Sequence, residues 1–152
     1  MSAITVFRKF PKELFRVNNG RAIRVRAQTP HRHVYDIITS GNGWVEPKAL
    51  NLSTYMAPNG ASMRPNSRYQ QYLVSWRFRG DDVVVYSIPK DTNLPDDLLL
   101  VHERSDHYSL QPAVRMSLDR LNARITQFLS SAGKVYTREE WLKTYPTATN
   151  PS

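Results

Sequence analysis

YSIPKDTNLPDDLLLVHERSDHYSLQ, Tyr86–Gln111, is the stretch that decides the fold. It reads as strand, turn, strand, tight break and a final strand that carries His107 and Tyr108. Apolar runs of strand length, punctuated by Pro, Asn and Asp, give that reading. Alternate strand positions point to opposite faces of a sheet. One of the two rings, imidazole or phenol, can therefore face the core while the other faces a cleft.

Outward from this stretch the period changes. Val83–Ile88 is the clearest strand, and Leu98–Glu103 and Tyr108–Gln111 follow it. Leu118, Leu121, Ile125, Phe128 and Leu129 form one helical face, with Ser117 as N-cap and Gly133 as the stop. Thr137-Arg138-Glu139-Glu140 has the spacing of a capping box and opens a second helix through Trp141 and Leu142, ended by Pro146. Toward the N-terminus, Leu14–Val17 and Ala22–Gln28 flank the turn-forming Asn18-Asn19-Gly20 and predict a hairpin. Val34–Thr39 is a further apolar run, stopped by Ser40-Gly41-Asn42-Gly43. Residues 1–12 read as an irregular lead-in, and residues 47–67 as a long loop broken by Pro47, Pro58, Gly60 and Pro65. Residues 68–76 fit helix or strand equally. The sum is one α+β domain over residues 12–146, short antiparallel strands first and helices last, with flexible ends at 1–11 and 147–152.

Composition narrows the chemistry. The chain has 152 residues, 40% hydrophobic and 22% charged, with no cysteine. That excludes a disulfide framework, thiolate catalysis and Cys-ligated metal. No apolar run approaches the roughly 20 residues of a membrane span, and the first residues lack a signal-peptide core. A cytoplasmic site of action is the expectation; export that needs no cleaved signal would leave no trace in the sequence. The formal charge of +8 favours an anionic ligand, a nucleic acid or an acidic partner. Arg21, Arg24, Arg26, Arg32, Arg64, Arg68, Arg77 and Arg79 carry much of it, and Arg suits bidentate phosphate recognition. A solvated basic face that aids solubility is the plainer alternative.

Most site motifs are missing. His31 and His33 flank Arg32, whose charge opposes a cation, and there is no HExxH, so no metal is expected. There is no GxSxG elbow, no phosphate-binding P-loop and no aromatic ribonucleoprotein signature. Arg16 sits between Phe15 and Val17 on an apolar strand, and a buried guanidinium must be paired. Its partner is either a diphosphate in a cleft or a structural carboxylate. Ser62 follows Gly60, which permits close backbone approach. His107 or Tyr108 would complete the wall of a nucleotide-sized site.

An Arg on an early strand, a Gly-x-Ser at mid-chain and a late His-Tyr strand resemble the ADP-ribosyltransferase fold. The resemblance is more specific to the type VI secretion toxins of the type-six-exported effector two family and their fungal relatives. It is carried by LFRVN (14–18), DIITSGNG (36–43), NGASMRP (59–65), IPKDTNLPDDL (88–98) and DHYSLQPAVRM (106–116), and spans about residues 12–132. It implies a split β-sandwich with C-terminal helices. It implies an NAD-dependent transferase that moves ADP-ribose, without metal, to an intracellular acceptor and so arrests growth, with a cognate immunity protein as a candidate partner. Carried over, Arg16 holds the NAD diphosphate or ribose, Ser62 braces the nicotinamide-side strand, and His107 bonds the NAD near the reacting ribose, with Tyr108 beside it. Ser53-Thr54 competes with Ser62 for the serine position. The chain departs from better-known transferases in lacking their late-strand glutamate; it offers His107-Tyr108-Ser109, with Glu103 four residues before His107. Its loop between Pro47 and Gly60 is longer than in the bacterial toxin. Two other readings remain: a basic RNA-binding or RNA-processing protein, and a non-catalytic NAD- or nucleotide-binding module.

Overall fold

The computed structural model describes residues 3–150. Its strands are β1 (Thr5–Phe7), β2 (Leu14–Asn19), β3 (Trp44–Val45), β4 (Ala61–Met63), β5 (Val83–Ile88), β6 (Leu98–Arg104), β7 (His107–Pro112), β8 (Met116–Ser117) and β9 (Lys134–Thr137). The helices are α1 (Arg68–Tyr72), which continues into a π-helical turn at Leu73–Arg77, α2 (Leu118–Ala132) and α3 (Arg138–Thr144), with a 3-10 turn at Lys48–Leu50. One sheet has four strands in the order β1-β6-β7-β4; a second has three, β2-β5-β9; β3 and β8 pair separately. Every named strand pair is antiparallel. This is the α+β architecture expected from the sequence.

Burial explains the apolar runs. Leu98 and Leu100 of β6, with Tyr108 and Leu110 of β7, face the main core, which Tyr86 and Ile88 of β5 enter from the other sheet. Leu99 and Val101 face the opposite way, against Ala49 and Ala113. The second face of β5 packs Val83 and Val85 against Phe15 and Trp141. Leu121, Ile125, Phe128 and Leu129 of α2 are all buried. Ser117 caps α2 by accepting from the Arg120 N–H at 3.1 Å, and the Thr137–Glu140 capping box opens α3. Gly133 ends α2 because a Cβ there would lie 2.5 Å from Ile88 Cδ1 and 2.7 Å from the Ser87 carbonyl.

Three expectations are corrected. The 14–28 hairpin does not form: β2 pairs with β5 along its whole length. Residues 22–25 instead lie on α2, where the Ile23 N–H donates to Thr126 Oγ1 at 2.9 Å and the Val25 N–H to Asn122 Oδ1 at 2.8 Å, and residues 26–28 bond through their backbone to residues 36–37. Ile23 and Val25 are buried there while Arg24 and Arg26 are exposed, so an alternating pattern arises without strand pairing. Residues 34–39 make only isolated bridges, Ile37 to Ala27 and to Asn59. The lead-in is not irregular throughout, since β1 pairs with β6 and Phe10 is fully buried. The 47–67 loop contains β4, which pairs with β7. Of the ends expected to be flexible, residues 1–2 and 151–152 lie outside the described residues; the Thr149 and Asn150 N–H groups both donate to the Asn66 carbonyl at 3.0 Å.

Candidate active site

The two sheets meet at one point. β2 and β4 are edge strands, and they exchange two backbone hydrogen bonds at Phe15 and Arg64, of 2.7 and 2.9 Å. Beside that junction Arg16 faces the space between the sheets, on the same side of its sheet as its cross-strand partner Tyr86. Its guanidinium bridges the split. Nη1 donates to the Ser62 carbonyl at 3.0 Å and Nη2 to Asn18 Oδ1 at 3.1 Å, while the buried Nε has no partner. Among the described residues no carboxylate forms an ion pair with Arg16, so the structural-carboxylate alternative is not what the fold supplies. Desolvation pulls its pKa from 12.5 down to about 10; Asp36 opposes that, and Arg64 and Arg26 add to it. The group stays charged at neutral pH and is under-compensated.

Arg16 opens onto a cleft of about 820 Å³, within the usual range for a ligand site. Arg24, Arg26, Arg64, Arg77 and Arg79 also line it, with Asp36 as the one carboxylate among the described lining residues. Asp36 is engaged by Arg26, whose N–H and Nε both reach its Oδ2, at 2.8 and 3.3 Å. Arg64 lies 3.7 Å from Asp106 and stacks 4.8 Å from the Tyr69 ring centroid. Low-dielectric walls and fixed positive charge concentrate anions in such a cleft.

Ser62 lies opposite Ser109 in the β4–β7 ladder. Gly60 makes this pairing possible, since a Cβ there would sit 2.0 Å from the Leu110 carbonyl oxygen. Ser62 Oγ is 2.9 Å from His107 Nε2. A bulge at Glu103 and a positive φ at Ser105 turn the β6–β7 hairpin tightly, and Glu103 comes onto the His107 face. Glu103 Oε1 is 2.8 Å from His107 Nδ1, an ionic approach poorly aligned for a hydrogen bond. Tyr55, from the long loop, donates a short hydrogen bond to Glu103 Oε2, and Gln111 Nε2 donates to the Tyr55 hydroxyl at 2.8 Å. Burial pushes the Glu103 pKa up, but the nearby His107 ring and the Tyr55 hydroxyl outweigh it and hold the carboxyl below its ordinary value. Burial first, then the bond to Glu103, pushes the Tyr55 phenol up.

Three of the expected site residues, Arg16, Ser62 and His107, thus come together. Tyr108 does not join them. It points to the opposite face, buried in the main core and stacked on His102 at 4.4 Å between ring centroids, so the expectation that it lines the nucleotide site is corrected. Alternation forces this: neighbours on one strand cannot share a face. Ser53 and Thr54 are exposed, and the Ser53 hydroxyl is spent on Asn51 Oδ1 at 2.8 Å, which leaves Ser62 as the serine at Arg16. His31 and His33 are exposed, and no cluster of three metal-ligating side chains occurs among the described residues. Tyr55 and Gln111 were not foreseen. The His107, Ser109, Gln111 alternation in an apolar strand was the one available signal for Gln111.

The sequence pattern of the Tse2 ADP-ribosyltransferase toxins matches residues 12–141. The chain belongs to the Tse2 ADP-ribosyltransferase toxin family. The matched span contains β2 with Arg16, β4 with Ser62, and the hairpin of Glu103 and His107. In this member of the family the split between sheets, bridged by Arg16, opens onto the arginine-lined cleft. No curated protein matches the chain.

Proposed function

We propose that this Tse2 toxin binds NAD in the arginine-lined cleft and transfers its ADP-ribose to an acceptor in the target cell's cytoplasm, which arrests growth. The observation that carries the reading is Arg16: a charged group with no carboxylate ion-paired to it among the described residues, with a buried unpartnered Nε, lining a cleft with five more arginines. A diphosphate supplies the missing countercharge in bidentate form. Cleavage of the nicotinamide bond builds oxocarbenium-like charge on the ribose, as glycoside cleavage does. Nicotinamide leaves with the bonding pair, the acceptor attacks the same carbon, and its proton is released. The protein's share is positioning and charge stabilisation. Arg16 grips the diphosphate, Ser62 and His107 orient the nicotinamide ribose, and Glu103 holds the imidazole. No metal takes part.

The test is NAD binding by calorimetry with nicotinamide release measured in parallel. Arg16→Lys replaces a fork by a point charge, so NAD affinity falls about tenfold or more, or roughly 1.4 kcal/mol, with the melting temperature within a few degrees of wild type. His107→Ala retains the fold and loses turnover. Full turnover in either folded variant refutes the assignment.

A further inference from the structure

The run from Arg64 to Arg79 contains four arginines and no acidic residue. Its helical part begins at Ser67, whose hydroxyl accepts from the Gln70 N–H at 3.1 Å and donates to Asp106 at 2.6 Å. One face, Gln70, Leu73 and Val74, is buried. The outer face carries Tyr69, Tyr72 and Trp76, which are 49%, 48% and 68% exposed. In an α-helix residues three apart share a face, and the wider π turn at Leu73–Arg77 returns Trp76 to the same side after four. The Tyr69 and Tyr72 rings are near-parallel, 23° apart with centroids 5.9 Å from each other. Guanidinium groups flank them: Arg64 is 4.8 Å from the Tyr69 centroid and Arg79 is 6.0 Å from that of Trp76.

Three large rings left in water are costly unless something covers them. The chemistry of the face selects the occupant. It offers flat π surfaces and guanidinium groups, without an exposed aliphatic side chain; the exposed Leu50, Leu52 and Met56 belong to another segment. Aromatic side chains interleaved with arginine are how proteins hold single-stranded nucleic acid, by base stacking and phosphate contact together. Tyr69, Arg77 and Arg79 also line the cleft of Arg16, so a strand stacked on this face runs past the cleft mouth.

We propose that Tyr69, Tyr72 and Trp76 form a stacking platform for single-stranded RNA, with Arg68, Arg77 and Arg79 on its phosphates. Resting on the function proposed above, the bound strand is the acceptor class. RNA is chosen over DNA because each of its riboses carries a free hydroxyl, so a strand in any register presents a nucleophile to the cleft. In the transfer the C1′–N1 bond of NAD breaks with its pair on nicotinamide, the ribose oxygen bonds to C1′, and its proton goes to water.

The test uses the full chain and a fluorescent 12-nucleotide single-stranded RNA, read by anisotropy, beside a hairpin duplex of the same length. Trp76→Ala and Tyr72→Ala are surface changes that leave the fold intact. Each is expected to weaken single-strand binding by about tenfold, Trp76→Phe to restore most of it, and all three to keep wild-type NAD affinity. With labelled NAD, label is expected on the RNA strand and not on the DNA strand of the same sequence. Unchanged RNA affinity in Trp76→Ala, equal binding of duplex and single strand, or no RNA binding at all overturns the platform and leaves the face to an acidic protein. Label on DNA but not RNA overturns the choice of strand. Absence of NAD binding with RNA binding intact overturns the function proposed above and not the platform.

Discussion

Glu103 takes a hydrogen bond from Tyr55 on one oxygen and sets the other against the His107 ring, and that placement fixes what His107 can do. Tyr55 donates to Oε2, and Nδ1 of His107 faces Oε1 at 2.8 Å, which directs a proton to Nδ1 and leaves Nε2 to accept from Ser62. Glu103→Gln replaces one acceptor oxygen by an NH₂ that must face either the phenol or the ring N–H. Turnover is then expected to fall about a hundredfold, while KM for NAD, which the proposed function assigns to Arg16, is expected to stay near wild type. Tyr55→Phe removes one hydrogen bond to a charged acceptor, about 1.5–3 kcal/mol, and lowers turnover by a smaller factor in the same pattern. The pH dependence has a definite sign. Since the folded pKa of Glu103 is held below 4.5, its stabilising contribution is present above that value and is lost as pH falls through the lower folded value. The melting-temperature gap between wild type and Glu103→Gln should therefore be widest near neutrality and close as pH falls through the lowered carboxyl range. A gap independent of pH would mean that Glu103 contributes only its shape.

At the scale of elements, a three-residue strand carries the site and a capped helix supports it. β4 has three residues and depends on Gly60 for its approach to β7. In Gly60→Ala the new Cβ meets backbone, which cannot yield as a flexible side-chain tip can. We expect a loss of about 1–3 kcal/mol, with NAD turnover falling alongside because Ser62 moves. Thr137→Ala removes the cap of α3, costs about 1 kcal/mol and lowers the melting temperature by roughly 2–4 °C, yet leaves NAD affinity unchanged. Urea unfolding and calorimetry on both variants separate a strand that carries the site from a helix that only supports it. The same contrast marks what the sequence could reveal. β5, β6, β7, α2 and α3 were legible because each buries a long periodic face or bears a cap. β4 was not, because three residues among prolines show no period. The 22–28 segment imitated a strand because its backbone is bonded outside either sheet, by Asn122 and Thr126 of α2 at Val25 and Ile23 and by residues 36–37 at Arg26 and Gln28. In the site, Arg16 stood out as a charge among apolar neighbours, and His107 as one of two rings on a strand. The Tyr55–Glu103 bond joins residues 48 apart through a loop without pattern, and only the folded chain displays it.

At the scale of the molecule, the question is whether a net charge of +8 acts as a whole or through one recess. The arginines at the cleft come from β2, the 22–28 segment, the residue after β4 and the end of the π-helical turn with the residues that follow it, so four separate pieces of chain deliver one sign of charge to one place. Arg26 is offset by Asp36 and Arg64 by Asp106, whereas Arg24 is exposed and has no acidic partner among the described residues. Arg24→Glu therefore reads the field of the cleft with little structural disturbance. Lys143→Glu makes the same change in net charge on α3, outside the cleft lining. If the recess focuses the field, Arg24→Glu weakens NAD binding about tenfold at 50 mM salt and Lys143→Glu barely does so. The Debye length is about 10 Å at 0.1 M salt and about 3 Å at 1 M, so the Arg24→Glu and wild-type affinities should converge as salt is raised, the wild type losing the more. A common loss in both variants would assign the effect to net charge. An Arg24→Glu loss that persists at 1 M salt would make Arg24 a direct contact to the ligand instead of a source of field.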